Sequence, residues 1–178
     1  ALGYQVTDSQ GQVANSTYTP TVYGAPTASP NSTTGGLDQN QTANLVTNDT
    51  AGAGTVLDPS TVKLCDPTTF PAQQPNNCAA TTVTIAGVGT YSVDSNGVVT
   101  FDPEPTYTGT PTALKYQVTD DKGQVANSTY TPTVIGLPTA VPNATSGPLN
   151  TAQTTNILTN ASAASGTTLT ASTVKLCA

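Results

Sequence analysis

The chain has 178 residues and a formal net charge of −6, from 10 acidic residues against 4 Lys and no Arg. This balance argues against nucleic acid as a partner, because phosphates require a basic footprint, and it equally disfavours an anionic membrane surface. The sequence has no His, so the usual acid–base group near neutral pH and the commonest metal ligand are missing. Threonine is the most frequent residue, at 37 positions, and together with Val, Tyr and Ile it favours β-structure.

The sequence repeats itself with a period of 112 residues. Residues 1–66 align with residues 113–178 without a gap and are identical at 43 positions. The stretch GQVANSTYTPTV, for example, occurs at 11–22 and again at 123–134. A period of this length corresponds to an ordinary globular domain rather than to a short solenoid repeat. We therefore expect a tandem array of domains, of which this chain is a window cut from a longer polypeptide.

Gly- and Pro-rich segments at 23–36 and 135–148 are predicted to separate the domains. Proline fixes φ and removes a hydrogen-bond donor, so we expect these segments to be stiff, extended connectors. The predicted organisation is a C-terminal hairpin of a preceding repeat at 1–23, one complete repeat domain at 25–134, and the N-terminal part of the next repeat at 137–178.

Within the complete repeat, the first elements are short strands. TANLVTND at 42–49 is a short apolar run that ends in Asn and is followed by a Gly/Ala-rich turn. TTVTI at 81–85 alternates Thr with apolar residues, as a half-buried strand does. GTYSVD at 89–94 and GVVTF at 97–101 flank a short connection with Gly, which suits a β-hairpin. The residues expected to share one face of this hairpin are Tyr91, Val93, Val99 and Phe101.

A second hairpin is predicted from LKYQVTD at 114–120 and QVANSTYTPTV at 124–134. The Pro-rich stretch at 102–111 is predicted to be a loop, with Tyr107 tucked under the edge of the fold. We find no amphipathic helix, and short strands with turn signals every 8–12 residues predict an all-β, antiparallel β-sandwich repeated in tandem. The inward-facing residues of the second hairpin are expected to be Leu114, Tyr116, Val118, Val125 and later Tyr130 or Val134.

The three cysteines fit one disulfide per domain. Cys65 and Cys78 bracket a polar loop with three prolines, and Cys177 is the repeat counterpart of Cys65, with its own partner expected beyond this chain. A Cys65–Cys78 disulfide would contribute roughly 3 kcal/mol to stability and would imply an oxidising compartment, and hence export. Two free thiols are one alternative, and a metal-binding pair is another, which the absence of His disfavours.

The carboxylates support weaker hypotheses. A calcium site at domain junctions would need several of them, yet Asp49 becomes Ala161 and Asp58 becomes Thr170 in the second copy, so turn capping is the preferred role. An acid–base pair of carboxylates is disfavoured, because no sequence feature nearby indicates a cleft. A Lys63–Asn isopeptide bond is also disfavoured, because the alternation of the strand places Lys63 on the solvent-exposed face. The carboxylates considered are Asp8, Asp49, Asp58, Asp94, Asp102, Glu104, Asp120 and Asp121.

Residues 89–134 resemble the CshA-type fibril repeat of bacterial cell-surface fibrillar adhesins. The matching motifs are Thr-Tyr-x-Val-Asp…Gly-x-Val-Thr-Phe-x-Pro, Pro-x-Tyr-Thr-Gly-Thr, and Tyr-x-Val-Thr-Asp followed by Thr-Tyr-Thr-Pro-Thr-Val. Residues 1–22 share the last of these by repetition, and the Asn-Asp segment at 48–49 is similar to cadherin-like tandem repeats. The resemblance implies an Ig-like sandwich, repeated many times in a stalk that projects a separate adhesive head. It brings no catalytic residues, and the cysteine pair departs from its pattern.

We therefore expect a non-enzymatic structural stalk repeat of a long surface fibril, extracellular and anchored to the cell wall. Its partners would be neighbouring repeats of the same chain, with a host ligand bound through other regions, and no metal or cofactor is expected. Two alternatives stay open. One is a subunit of a self-assembled extracellular filament or surface layer. The other is a binding module for a glycan, a matrix protein or ice, which a regular Thr array on one flat face would favour.

Overall fold

The computed structural model describes residues 1–68 and 78–177, and the regular secondary structure of this part of the chain is almost entirely β-strand. Two four-stranded sheets form a sandwich, and a separate two-stranded hairpin precedes them. A three-residue 3₁₀ helix lies at Ala171–Thr173, and no helix of the described residues is long and apolar enough to cross a membrane. The strands are β1 Leu2–Thr7, β2 Val13–Tyr18, β3 Asn31–Gly36, β4 Gln41–Asn44, β5 Leu57–Leu64, β6 Thr82–Ile85, β7 Gly89–Val93, β8 Val98–Pro103, β9 Leu114–Asp120 and β10 Val125–Ile135.

The first sheet has the strand order β3-β10-β9-β5. β10 pairs antiparallel with β9 and parallel with β3, so that Asn31 lies beside Tyr130 and Gly36 beside Ile135. The first and last strands of the sandwich therefore run side by side in the same direction. As a consequence, the chain enters at one end of this strand pair and leaves at the other.

Strand β3 corrects one prediction from the sequence. The segment 23–36 is predicted to be an extended connector, but its second half, Asn31–Gly36, is an edge strand. Its sequence, NSTTGG, contains no apolar residue, so the alternation that usually indicates a strand is absent even though burial alternates along it. Backbone pairing with β10, rather than burial of large apolar side chains, holds this strand in the sheet.

The second sheet has the order β4-β8-β7-β6 and is antiparallel throughout. The alternating stretches at 81–85, 89–94 and 97–101 form β6, β7 and β8, as the sequence predicts. The predicted all-β, Ig-like sandwich without significant helix is thereby confirmed, with the parallel β3–β10 edge as the exception to an antiparallel arrangement.

The core lies between the inner faces of the two sheets and is centred on aromatic side chains. Tyr91 packs against Phe101 with ring centroids 4.6 Å apart and meets Tyr130 edge-on at 6.2 Å. Burial of each large side chain contributes about 2 kcal/mol, so these rings dominate the packing energy. Tyr107 packs against the core from the loop before β9. The core residues are Leu45, Val62, Leu64, Val83, Tyr91, Val99, Phe101, Leu114, Tyr116, Val118, Ala126, Tyr130 and Val134.

The inward-facing set of the second hairpin differs from the prediction at one residue. Ala126 is 6% exposed and belongs to the core, whereas Val125 lies half-buried on the opposite face of β10. Tyr130 and Val134 have the same parity as Ala126, and successive strand residues point to opposite faces. Sequence hydrophobicity favours Val125 over Ala126, and the pairing of Ala126 with the buried Val118 decides the register.

Three hairpins in the described part of the chain use the same Asp-x-x-Gly turn. In the β7–β8 hairpin, Asp94 Oδ1 accepts hydrogen bonds from the backbone N–H groups of Asn96 and Val98, both at 2.9 Å. Gly97 takes a φ of 74°, a left-handed conformation that costs glycine little. Asp8 and Asp120 accept the equivalent pairs of bonds. These carboxylates thus cap turns, which is the role that the sequence favours for them.

The residues on either side of the sandwich, 1–23 and 137–177, repeat parts of its structure but do not form a second complete sandwich. The β1–β2 hairpin pairs Leu2 with Tyr18, which is the register of Leu114 with Tyr130 shifted by one period. Leu2 is 68% exposed, whereas Leu114 is 3% exposed, because no second sheet covers this hairpin. In the third piece, an isolated bridge joins Thr139 to Ser162. The predicted boundaries at 1–23, 25–134 and 137–178 stay a prediction.

Candidate functional site: the junction that receives the preceding repeat

The connector ahead of the sandwich lies along one loop of it. We call residues 23–31 the incoming segment and residues 45–54 the receiving loop. The backbone N–H of Gly24 donates to the carbonyl of Ala53 at 3.1 Å, and Thr27 and Thr50 exchange two backbone hydrogen bonds of 2.9 Å. The segment is therefore attached to the sandwich before β3 begins.

Asp49 and Tyr116 form the buried end of this contact. The N–H of Ser29 donates to Asp49 Oδ1 at 2.7 Å. The hydroxyl of Tyr116, which is fully buried, lies 3.0 Å from the carbonyl oxygen of Leu45 and 3.1 Å from that of Ser29, and it accepts a bond from Asn31 Nδ2 at 3.1 Å. One side chain of β9 thus connects the incoming segment, the receiving loop and the core.

Burial raises the pKa of both groups. Desolvation raises the pKa of Asp49, although its bonds from Ser29 and Tyr116 oppose that shift. Desolvation first, and the charge of Asp49 second, raise the pKa of Tyr116, so its hydroxyl keeps its proton at neutral pH and can donate it.

The raised pKa of Asp49 gives a testable pH dependence. Since the folded state binds the proton more tightly than the unfolded state does, stability falls as pH rises from the ordinary pKa of 3.8 through the raised value. Asp49→Asn keeps an acceptor for Ser29 but cannot ionise. We expect the free energy of unfolding of the wild type to decrease relative to that of Asp49→Asn between pH 4 and 7, measured by urea denaturation. Parallel pH profiles for the two proteins would contradict this expectation.

Tyr23 extends the junction to the tip of the β9–β10 hairpin. Its ring lies under the ammonium group of Lys122, with Nζ 5.2 Å from the ring centroid. Lys122 also forms an ion pair of 2.8 Å with Asp121, whose Oδ1 accepts the N–H of Val56. A cation over an aromatic face is attractive, so this contact adds to the backbone attachment.

A second buried hydrogen-bond network joins β3 to the sheet. Gln41 is 5% exposed, and its Nε2 donates to the carbonyl of Thr133 at 3.0 Å. The hydroxyl of Thr33 lies 2.6 Å from Gln41 Oε1 and 2.7 Å from the hydroxyl of Tyr130. Satisfied buried hydrogen bonds of this kind specify one arrangement of strands. The sequence does not predict this network, because nothing in NSTTGG indicates a buried hydrogen-bond partner.

The structure joins Cys65 and Cys78 in a disulfide at the edge of the sandwich, while Cys177 is free and exposed. The N–H of Cys65 donates to the carbonyl of Lys115, and that of Cys78 donates to Gln117 Oε1, so both ends of the bridge are attached to β9. Most of the predicted polar loop, residues 69–77, lies outside the described residues. The pairing of Cys177 with a cysteine beyond this chain stays a prediction.

The carboxylates considered as calcium ligands are dispersed. Within the described residues, no group of three or more His, Cys, Asp and Glu side chains is placed to hold one metal ion. Asp58 accepts from Ser60, and Glu104 accepts the N–H of Gly87 at 2.8 Å, which are turn-capping roles like that of Asp94.

The chain is similar to one known protein family and to a solved structure. Residues 24–134 match the family described as the surface adhesin CshA repetitive domain. Among solved structures, the chain is similar to the N-terminal eight Ig domains of Down Syndrome Cell Adhesion Molecule (DSCAM) isoform 1.30.30, with 12% identity and a TM-score of 0.37. That similarity covers 80% of this chain and 22% of the DSCAM chain. No curated protein matches the chain.

The sandwich and its attached connector define a class of protein, the tandem Ig-like repeat. The matched residues make up more than half of the chain, and the chain belongs to the family of surface adhesin CshA repetitive domains. Its role is therefore that of a surface adhesin repeat outside the cell, and the resemblance stated from residues 89–134 is confirmed.

Proposed function

We propose that the chain is part of a stalk of tandem repeats that extends an adhesive head away from a cell surface, with the stalk anchored to the cell wall. The repeats themselves bind one another in sequence, and a host ligand binds elsewhere in the full protein. No chemical step is involved, since the function of the repeat is reach.

The parallel pairing of β3 with β10 carries this proposal. Because the chain enters at the Asn31 end of the pair and leaves at the Ile135 end, successive repeats follow one another in a line rather than folding back. β10 alone has 11 residues, a length of roughly 36 Å at 3.3 Å per residue. The attachment of Gly24 and Thr27 to the receiving loop favours a defined angle between repeats.

Small-angle X-ray scattering of a two-repeat protein tests the proposal. Residues 25–178 followed by a copy of residues 67–134 supply two complete repeats. We expect a maximum dimension close to twice that of residues 25–134 alone, because the repeats lie end to end. A compact pair, with a maximum dimension only slightly above that of one repeat, would rule the stalk out.

A second candidate, a glycan-binding module, is favoured by the outer face of the second sheet. One row of side chains crosses all four strands there and consists of hydroxyl groups, with Thr100 paired to both Thr42 and Ser92, and Ser92 paired to Thr82. Neighbouring strands lie about 4.8 Å apart, so this row is a regularly spaced, uncharged array. Such an array can hydrogen-bond a ligand that is itself rich in hydroxyl groups.

A glycan array probed with the wild type and with Thr82→Val, Thr100→Val tests this second candidate. Valine keeps the shape and strand preference of threonine but removes the hydroxyl. We expect lost binding in this variant and unchanged binding in Thr129→Val, which alters the other sheet. Absence of wild-type binding to any glycan would leave the stalk as the sole function proposed.

A further inference from the structure

Four contacts between the incoming segment and the receiving loop occur at short intervals along the chain. The pairs are Gly24 with Ala53, Thr27 with Thr50, Ser29 with Asp49, and Asn31 with Leu45. Two of these contacts, Thr27 with Thr50 and Asn31 with Leu45, depend on backbone atoms or on residues that any repeat can supply. The other two depend on particular residues of the receiving loop, Gly52 and Asp49.

Gly52 is required because of space. A Cβ atom at Gly52 would overlap the carbonyl group of Gly24, and the obstacle is backbone, which cannot rotate away. The φ of Gly52 is not in the left-handed region, so the backbone itself would tolerate alanine there. In turn, a Cβ at Gly24 would lie 2.6 Å from the backbone N of Ala53. The close approach of the two chains therefore needs glycine on both sides.

The second copy of the junction keeps the two general contacts and lacks the two particular ones. Thr139 and Ser162 exchange backbone bonds of 2.9 Å, as Thr27 and Thr50 do, and Asn143 Nδ2 donates to the carbonyl of Ile157 at 3.2 Å, as Asn31 does to Leu45. The counterpart of Asp49 is Ala161, which offers no acceptor, and the counterpart of Gly52 is Ala164.

A cavity marks the place of the missing contact. It has a volume of about 360 Å³ and lies between the turn at 108–110, the segment 133–137 and the pair Ala164–Ser165. In the part of the chain that the structure describes, no backbone hydrogen bond joins Gly136 to Ser165, whereas Gly24 and Ala53 are bonded. A methyl group at Ala164 would fall where the missing Cβ of Gly52 leaves room for the incoming backbone in the first copy.

We propose that the residues at the positions of Asp49 and Gly52 determine whether each repeat holds its incoming connector rigidly or lets it pivot. The junction ahead of residues 25–134 has Asp and Gly and is rigid. The junction after them has Ala and Ala and is a hinge. This inference deepens the stalk proposal and rests on it. The receiving loop of each repeat would determine whether the stalk bends at that junction.

Amide hydrogen exchange measured by NMR on residues 1–178 followed by a copy of residues 67–134 tests this inference, because both receiving repeats are then complete. We expect the amides of Gly24 and Ser29 to exchange at least tenfold more slowly than those of Gly136 and Val141, after correction for intrinsic rates, because only the first two donate to the receiving loop. Gly52→Ala should accelerate exchange at Gly24 at least tenfold and leave the core amide of Tyr116 unchanged.

Two further variants complete the design. Gly3→Ala is the matched control, since a methyl group there meets nothing within 4 Å and no exchange rate in the junction should change. Ala161→Asp with Ala164→Gly should slow exchange at Gly136 and Val141. Equal rates at both junctions of the wild type, or an unaltered Gly24 in Gly52→Ala, would overturn the inference and leave the stalk standing. A compact two-repeat protein with unequal exchange would overturn the stalk alone.

Discussion

Replacement of Tyr116 by Phe is expected to lower the free energy of unfolding by about 2 kcal/mol. The substitution removes one oxygen and leaves the ring in the core, so packing is preserved. The carbonyl groups of Leu45 and Ser29 and the amide of Asn31 lose a buried partner, and an unsatisfied buried polar group costs about 1–3 kcal/mol. Urea denaturation followed by tyrosine fluorescence or circular dichroism measures the change.

Tyr91→Phe is the matched comparison for this prediction. The hydroxyl of Tyr91 is buried and has no hydrogen-bond partner among the described residues, so its removal should leave stability unchanged or increase it. Both residues are fully buried, and both variants lose the same atom. Equal destabilisation by the two substitutions would show that loss of the oxygen, and not of its hydrogen bonds, determines the effect.

Removal of the Cys65–Cys78 disulfide is expected to cost about 3 kcal/mol of stability. The sequence separation of 13 residues closes a loop whose entropy in the unfolded chain the bridge restricts, and a loop of this size corresponds to about that value. Cys65→Ala with Cys78→Ala should lower the urea midpoint, and the m-value should rise somewhat because the unfolded chain becomes less compact.

Cys177→Ser provides the control for the disulfide prediction. Cys177 is exposed and unbridged, so its substitution should not change the unfolding curve. Reduction of the wild type with dithiothreitol should reproduce the double substitution. Identical curves for the oxidised and reduced wild type would contradict the prediction.

The hairpins could be predicted from the sequence because their signals are local. Tyr91, Val99 and Phe101 alternate with polar residues, and the Asp-x-x-Gly turns supply their own capping carboxylate and their own left-handed glycine. Within such a segment, the period of two and the turn chemistry determine register without help from distant residues. The cysteine pair was likewise predictable, because the repeat explains the third cysteine.

The junction could not be predicted, because its contacts join distant residues through groups that carry no sequence signal. Tyr116 bonds to Asn31 across 85 residues, and Gly24 meets Ala53 through backbone atoms alone. From the sequence alone, Asp49 is a poor candidate for a calcium ligand, because the second copy has Ala161 at this position. Its role as an acceptor for Ser29 shows why a residue can matter in one repeat and be replaced in the next.

The parallel β3–β10 edge also determines how the sandwich bears load. Tension on the two connectors pulls β3 from its Asn31 end and β10 from its Ile135 end, so the two strands are drawn past each other along their length. Six residue pairs resist this sliding together, whereas a force applied across an antiparallel hairpin would open one pair at a time. Rupture under force is governed by the unfolding rate. Shear loading therefore makes the least hydrophobic strand of the sandwich the one on which survival under tension depends.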